Sequence, residues 1–410
     1  MSKLDDLIKK LCPDGVNFRL LKDVCHRQKG TPITAGDMKK LDNPNGPIRI
    51  FAAGNTIANV NYGDIPDEDV ITQTSIIVKS RGNIGFEFYD KPFSHKNEMW
   101  SYSSTSDDIN LRFIYYYLLN RINEFQVKAK SGKLPQISTP DTDNYLIPVP
   151  PLPVQEEIVR ILDSFTKLEA ELEAELEARR RQYEYYRDKL LNFNELDKAK
   201  SGGVKLMALG EIIRSLKTGL NPRQNFKLNQ DDCTLPYITG KDIIDHRVNA
   251  SEKTAKINET AVALINRRAA MENGDLLFAS TGSGTVGRMA IVENYNNDWA
   301  ISETLYAIKM KSNIVDVHYL LHSLNSSGAK EQYTPKISKG SVPHLKVVDL
   351  LQVKIPILPL PEQQKIANLL NKFERFVNDL TFGLPSEIKV RRQQYEYYRD
   401  KLLTFSQLQG

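Results

Sequence analysis

One stretch of this chain occurs almost twice. Residues 179–193 read RRRQYEYYRDKLLNF and residues 391–405 read RRQQYEYYRDKLLTF, identical at thirteen of fifteen positions. A second block agrees, PLPVQEEI from Pro151 against PLPEQQKI from Pro359. The spacings are 391 − 179 = 212 and 359 − 151 = 208, so the second copy holds four extra residues between its blocks. Fainter echoes lie upstream. Gly15-Val16 leads to Lys22-Asp23-Val24, and Gly203-Val204 leads to Gly210-Glu211-Ile212. Residues 131–135 (SGKLP) match residues 339–343 (KGSVP) at Gly and Pro. A period near 200 residues is too long for a solenoid and means a duplicated domain pair. The domains expected are 1–151 and 201–357, both divergent, with near-duplicated segments at 152–200 and 358–410.

The duplicated segments read as long helices. Pro153 fits a first helical position, and Glu156 and Glu157 favour the positive end of the helix dipole. Ile158, Ile161, Leu162, Phe165, Leu168, Leu172 and Leu176 follow at three- and four-residue spacing, and Tyr183, Tyr186 and Leu190 resume the stripe. A helix over 153–193 would be about 60 Å long and could not be stable without a partner for its stripe. The second copy supplies one in Ile366, Leu369, Leu370, Phe373, Phe376, Val377 and Leu380, then Tyr395, Tyr398 and Leu402. Gly383 and Pro385 should break that copy near residue 383. Two such helices packed antiparallel give a coiled-coil spacer with approximate twofold symmetry. The alternative is that each helix packs only on its own domain.

The divergent segments read as mixed α and β. Strands are expected at 48–52, 75–79, 85–89, 276–280 and 288–292, and helices at 112–124 and 315–324. Pro-rich stretches near 148–153 and 356–361 should end each domain. The fold class is therefore α+β: two mixed domains, two long antiparallel helices and a pseudo-twofold internal repeat.

Composition sets limits. Forty per cent of the 410 residues are hydrophobic and 26% are charged, and no apolar run is long enough for a transmembrane helix. Three scattered cysteines make neither a disulfide framework nor a zinc site and fit a cytoplasmic protein. The net charge of +4 permits nucleic-acid binding without demonstrating it.

Catalytic motifs fail on context. Gly282-Ser-Gly-Thr-Val-Gly287 matches GxGxxG, but a strand pattern follows it where a dinucleotide site needs a helix. It also fails as a Walker A loop, since Arg288 and Met289 stand where Lys and Ser/Thr belong. His318 and His322 fall at i, i+4 but lack a third metal ligand, so a half-exposed helix face is expected. No nucleophile elbow and no Asn/Asp-Pro-Pro-aromatic signature of an amino-methyltransferase is present.

DNA contact needs Lys and Arg for phosphates, and amides, hydroxyls and Arg at base edges. Each divergent domain has loops of that kind. The first offers Lys79, Arg81 and Asn83, then Lys128, Lys130, Lys133 and Gln136. The second offers Thr281, Ser283, Thr285 and Arg288, then Lys336, Lys339, Ser341 and His344. The bland alternative is solvated loops. Paired occurrence just ahead of both helices favours binding. Arg267 and Arg268 are weaker candidates and read as surface charge.

The layout resembles the specificity subunit of type I restriction–modification enzymes over essentially the whole chain. The duplicated PLPxQxxI openings and QYEYYRDKLL segments carry the resemblance, with the 275–287 stretch (DLLFASTGSGTVG) and the opening at 11–16 (LCPDGV). The corresponding stretch of the first domain, 75–85, departs from that wording. The resemblance implies two target recognition domains, each reading one half of a bipartite double-stranded DNA site. The helices would set the gap between half-sites and dock two methyltransferase subunits. The docking residues it implies are Gln182, Tyr183, Tyr186 and Arg187, with Gln394, Tyr395, Tyr398 and Arg399. S-adenosylmethionine would sit on the methyltransferases, which methylate adenine; ATP and magnesium would sit on a nuclease-translocase subunit. This chain would hold no cofactor and no metal. A protein-binding coiled-coil scaffold is the competing class, and an enzyme acting alone would need catalytic residues not found here.

Overall fold

In the computed structural model, residues 3–129, 134–192, 194–195, 204–378 and 383–408 are described. By internal contact the chain divides into two units, Met1–Glu171 with Val390–Gly410, and Leu172–Lys389.

The first unit is built on a four-stranded antiparallel sheet ordered Cys25–Gln28, Trp100–Ser104, Ser75–Lys79, Gly85–Tyr89. Side chains alternate across a strand. Ile76 and Val78 accordingly enter the main core, while Ile77 joins Phe51, Phe93 and Met99 in a separate cluster. A three-stranded sheet follows, Ile57–Val60, Ile48–Phe51 and Phe93–His95, the last pair parallel. The helix expected at 112–124 is two helices, Leu111–Asn120 and Ile122–Lys128. The break at Arg121 returns the fully buried Phe125 to the core, where its ring meets Phe86 edge-on at 5.1 Å.

The second unit repeats the plan. Its four strands run Ile213–Thr218, Leu305–Met310, Leu276–Ala279, Met289–Ile291, and its three-stranded sheet is Lys256–Ile257, Leu235–Ile238, Ala300–Ile301, again with the last pair parallel. The glycine-rich stretch 282–287 joins two antiparallel strands, with positive φ at Gly282, Gly284 and Gly287, so it is a hairpin connection and the strand expected after it is present.

The Pro-rich ends are strands. Leu146–Val149 pairs with Asn17–Leu20, and Lys354–Ile357 pairs with Lys205–Ala208, with Pro148 opposite Phe18 and Pro356 opposite Leu206. A two-stranded ribbon has an outer edge where the missing N–H costs no ladder bond.

The central helix runs Leu152–Leu190, so Pro153 is its second residue rather than its first. The second copy is broken as expected into Leu360–Asn378 and Leu384–Leu402. Gly383 has φ +96°, and a Cβ there would lie 2.3 Å from the Phe376 carbonyl oxygen.

Both helix pairings are antiparallel. In the first unit Phe165 stacks on Tyr398 at 5.7 Å, while Glu169, further along, pairs with Arg392, earlier in its helix. In the second, Tyr186 packs on Phe373 at 6.3 Å, and Tyr183 and Leu191 share a core with Ala367 and Leu370. Each helix therefore pairs with a helix and also fills a domain core. Leu402, at the end of the last helix, and Leu403 and Phe405 just beyond it join the first core.

His322 corrects the expectation of a half-exposed histidine face. It is fully buried, with Nε2 2.7 Å from Asn371 Oδ1 and Nδ1 3.1 Å from the Tyr183 hydroxyl. Burial lowers its pKa. The first unit makes the matching joint differently, with the Tyr116 hydroxyl donating to Asp163 at 2.5 Å and Arg112 Nε to the same oxygen at 2.7 Å.

Candidate nucleic-acid interface

The loops picked out in sequence meet in pairs, and they meet identically in both domains. In the first, Ile137 N–H donates to the Ser80 carbonyl at 3.0 Å and Gly82 N–H to the Pro135 carbonyl at 2.9 Å. In the second, Leu345 N–H donates to Ser280 at 2.8 Å and Gly282 N–H to Pro343 at 3.0 Å. These bonds close two isolated antiparallel bridges, Arg81 with Gln136 and Thr281 with His344. Gly82 and Gly282 both have positive φ, which glycine adopts without strain. Ser80 and Ser280 are buried and anchor the frame from below. Ser80 Oγ donates to the Glu98 carbonyl, and Ser280 Oγ to the Thr304 carbonyl at 3.0 Å. Sequence reading missed the two serines; their signal was one Ser at the end of each inner strand.

The candidate residues divide by surroundings. Arg81, Asn83 and Gln136 are exposed, as are Ser283, Arg288, Lys336, Lys339 and Ser341. Arg288 also donates to the Ile243 carbonyl at 3.4 Å. Lys128 is exposed at a helix end, its ammonium 5.5 Å from the Tyr145 ring centroid. Lys130 and Lys133 lie outside the described residues. Thr281 and His344 are half-buried, and Thr281 Oγ1 lies 2.7 Å from His344 Nδ1. His344 N–H also donates to Ser338 Oγ at 3.0 Å.

One candidate is corrected by its burial, and another is ion-paired. Thr285 is 6% exposed and donates to the Thr281 carbonyl at 3.3 Å, so it shapes the loop from inside. Lys79 is ion-paired with Glu87 at 2.7 Å, which ties its charge to the neighbouring strand.

The helix residues divide the same way. Tyr183 and Arg187 are 6% and 5% exposed and are used within the unit, which corrects their reading as a docking surface. Burial drives the Tyr183 phenol up. Gln182 and Gln394 each accept from an arginine three residues before, Arg179 at 2.9 Å and Arg391 at 3.1 Å. Tyr395 is half-buried, and Arg399 donates to Asn120 Oδ1 at 2.8 Å. Tyr186 and Tyr398 remain exposed at 41% and 43%. Sequence reading passed over Tyr185 and Tyr397, which are 61% and 63% exposed and pack edge-on against Tyr186 and Tyr398.

A duplicated α+β domain, each copy carrying the same bridged polar loops and joined by paired helices, defines a class of two-site reader. The sequence profile described as "Type I restriction modification DNA specificity domain" matches twice, at residues 13–178 and 202–390. The chain belongs to the family of type I restriction–modification specificity subunits. It is 32% identical over 335 residues to the specificity subunit of a type I restriction enzyme from Escherichia coli, covering 78% of this chain and 77% of that one. It is 33% identical over 321 residues to a putative specificity subunit from Haemophilus influenzae, covering 73% and 74%. Its fold is like the crystal structure of the type I restriction–modification S subunit from M. genitalium, with TM-score 0.55 at 17% identity and coverage of 95% and 96%. The comparisons support the specificity-subunit reading over the scaffold. Among the described residues, no helix is long and apolar enough to cross a membrane.

Proposed function

We propose that this chain is the non-catalytic address-bearing subunit of a type I restriction–modification complex, and that each domain reads one half of a gapped duplex site. The observation that carries the reading is the repeated loop frame. One backbone scaffold is built twice around Ser80–Gly82 and Ser280–Gly282, and the exposed side chains on it differ. A protein that must read two different half-sites requires that combination. A scaffold for two identical partners would have no use for it.

The near-identical helices have the opposite character. Their repeated exposed tyrosines suit two copies of one partner, which we assign as methyltransferase subunits carrying S-adenosylmethionine and acting on adenine. A nuclease-translocase subunit using ATP and magnesium would complete a restriction complex. This chemistry belongs to the cytoplasm, where the chromosome and those cofactors are. The Leu152–Leu190 helix would set the gap between half-sites.

The reading is tested by exchanging residues 15–150 for the first recognition domain of another specificity subunit and mapping methylated sites. One half-site should change and the other should stay. Loss or change of both halves would contradict independent reading.

A further inference from the structure

We propose that the bridged pairs Arg81–Gln136 and Thr281–His344 are the specificity-determining residues of the two domains and contact base edges rather than phosphates. The inference rests on the DNA-reading role proposed above and assigns it to particular side chains.

The two pairs are structurally equivalent. Both pairs sit on the same backbone bonds, beside the same buried serine and the same left-handed glycine. The frame is constant, yet both side chains change, Arg to Thr and Gln to His. A phosphate contact carries no sequence information, so two half-sites give it no reason to change. A base contact must change when the base does.

A phosphate oxygen only accepts hydrogen bonds. A Gln amide, a Thr hydroxyl and a His ring can each donate and accept, which matches the mixed edge of a base pair in the major groove. Gln136 can meet adenine N6 and N7 with both amide atoms, and Arg81 can meet guanine O6 and N7 with two guanidinium N–H groups.

Among the described residues, neither Arg81 nor Gln136 has a side-chain hydrogen bond or ion pair, and both are exposed. In the second domain Thr281 Oγ1 holds His344 Nδ1 at 2.7 Å, which fixes the ring and leaves Nε2 without a partner among the described residues. A held ring loses less freedom on binding than a mobile one. The exposed Lys336 and Lys339 lie close in sequence to His344 and can supply the phosphate contacts that a base reader needs beside it.

The test uses the full chain in complex with its methyltransferase subunits, and maps methylation on a pool of random duplex DNA. Two substitutions made together, Arg81→Thr and Gln136→His, transplant the second domain's pair onto the first. The prediction is a changed preference at one or two base pairs of one half-site, with the other half-site untouched. Gln136→Ala alone should relax one position, with discrimination falling roughly 5- to 150-fold. His344→Ala should relax one position in the other half. These are exposed or half-exposed side chains, so the single variants remain informative if the double variant loses its melting transition. An unchanged motif overturns the proposal, whether affinity is unaltered or falls evenly for all sequences with a shallower salt dependence. If the unsubstituted complex directs no gapped motif, the function reading fails instead.

Discussion

Gln363 is the counterpart of Gln155, atom for atom. The Gln155 amide oxygen accepts the N–H of Asn110 at 2.8 Å, and its nitrogen donates to the carbonyls of Asp108 at 3.0 Å and Pro150 at 2.7 Å. The Gln363 oxygen accepts the N–H of Asp316 at 2.9 Å, and its nitrogen donates to Ile314 at 2.9 Å and Leu358 at 2.7 Å. Asn110 and Asp316 are the N-caps of the Leu111–Asn120 and Val317–Asn325 helices. Each glutamine therefore joins the start of a long helix to the start of a domain helix. The shared Q of PLPxQxxI is a buried structural joint.

Replacing Gln155 or Gln363 by Ala should therefore destabilise its own unit. The glutamines are 1% and 0% exposed, and each substitution removes the partner of three backbone groups, one of them in a fully buried bond. A cost of about 2–4 kcal/mol is expected per site. Urea unfolding of the full chain checks this. A loss under about 0.5 kcal/mol, typical of surface changes, would contradict it.

The second unit should carry a stability term that fades as pH rises. Asp245 and His246 both have positive φ and form the two-residue turn between Ile243–Ile244 and Arg247–Val248. His246 donates from Nδ1 to the Met289 carbonyl at 3.0 Å and pairs through Nε2 with Glu374 at 2.9 Å. Burial opposes the imidazolium, but the Glu374 carboxylate outweighs it and the His246 pKa is raised. Burial likewise opposes the Glu374 charge, and His246 outweighs it and lowers that pKa. A raised histidine contributes fully below its unfolded value and fades as pH climbs through the folded value. A lowered carboxylate contributes above its unfolded value and fades as pH falls through the folded one. The pair should thus be worth most at about pH 4.3–6.5. His246→Gln should remove the part of the stability loss between about pH 6 and pH 8 that deprotonation of the imidazolium causes. Identical pH profiles for variant and parent would contradict this.

Tyr185 and Tyr397 should each govern one partner copy. They hold the same place in the repeat and expose 61% and 63% of their surface. Tyr185→Ala is expected to yield complexes with one methyltransferase copy, and Tyr397→Ala the same with the other site vacated. Replacing both should leave the chain alone. Native mass spectrometry reads the stoichiometry directly. Two copies retained in the doubly substituted chain would remove these tyrosines from the interface.

Local pattern was the legible part of this molecule. The strands at Ser75–Lys79 and Gly85–Tyr89 fall where expected, and Gly383 breaks the second helix where expected. What escaped was long-range. The ribbon of Asn17–Leu20 with Leu146–Val149 joins segments far apart in the chain, and its proline masked the strand pattern. His322 reads as a face residue until Tyr183 and Asn371 close over it. The helix expected at 112–124 stops because tertiary packing of Phe125 outweighs local propensity at Arg121. For the site, sequence reading found the loops by their charges and polar groups. It could not tell an exposed Gln136 from a buried Thr285, because that depends on which loops meet.

On the function proposed above, this chain alone decides which DNA sequence is modified. The measurement closest to it is a methylome of cells expressing the methyltransferase subunit with and without this chain. A gapped, two-part motif carrying methylated adenine should appear only when the chain is present. The same methylation in its absence, or an ungapped motif, would contradict it.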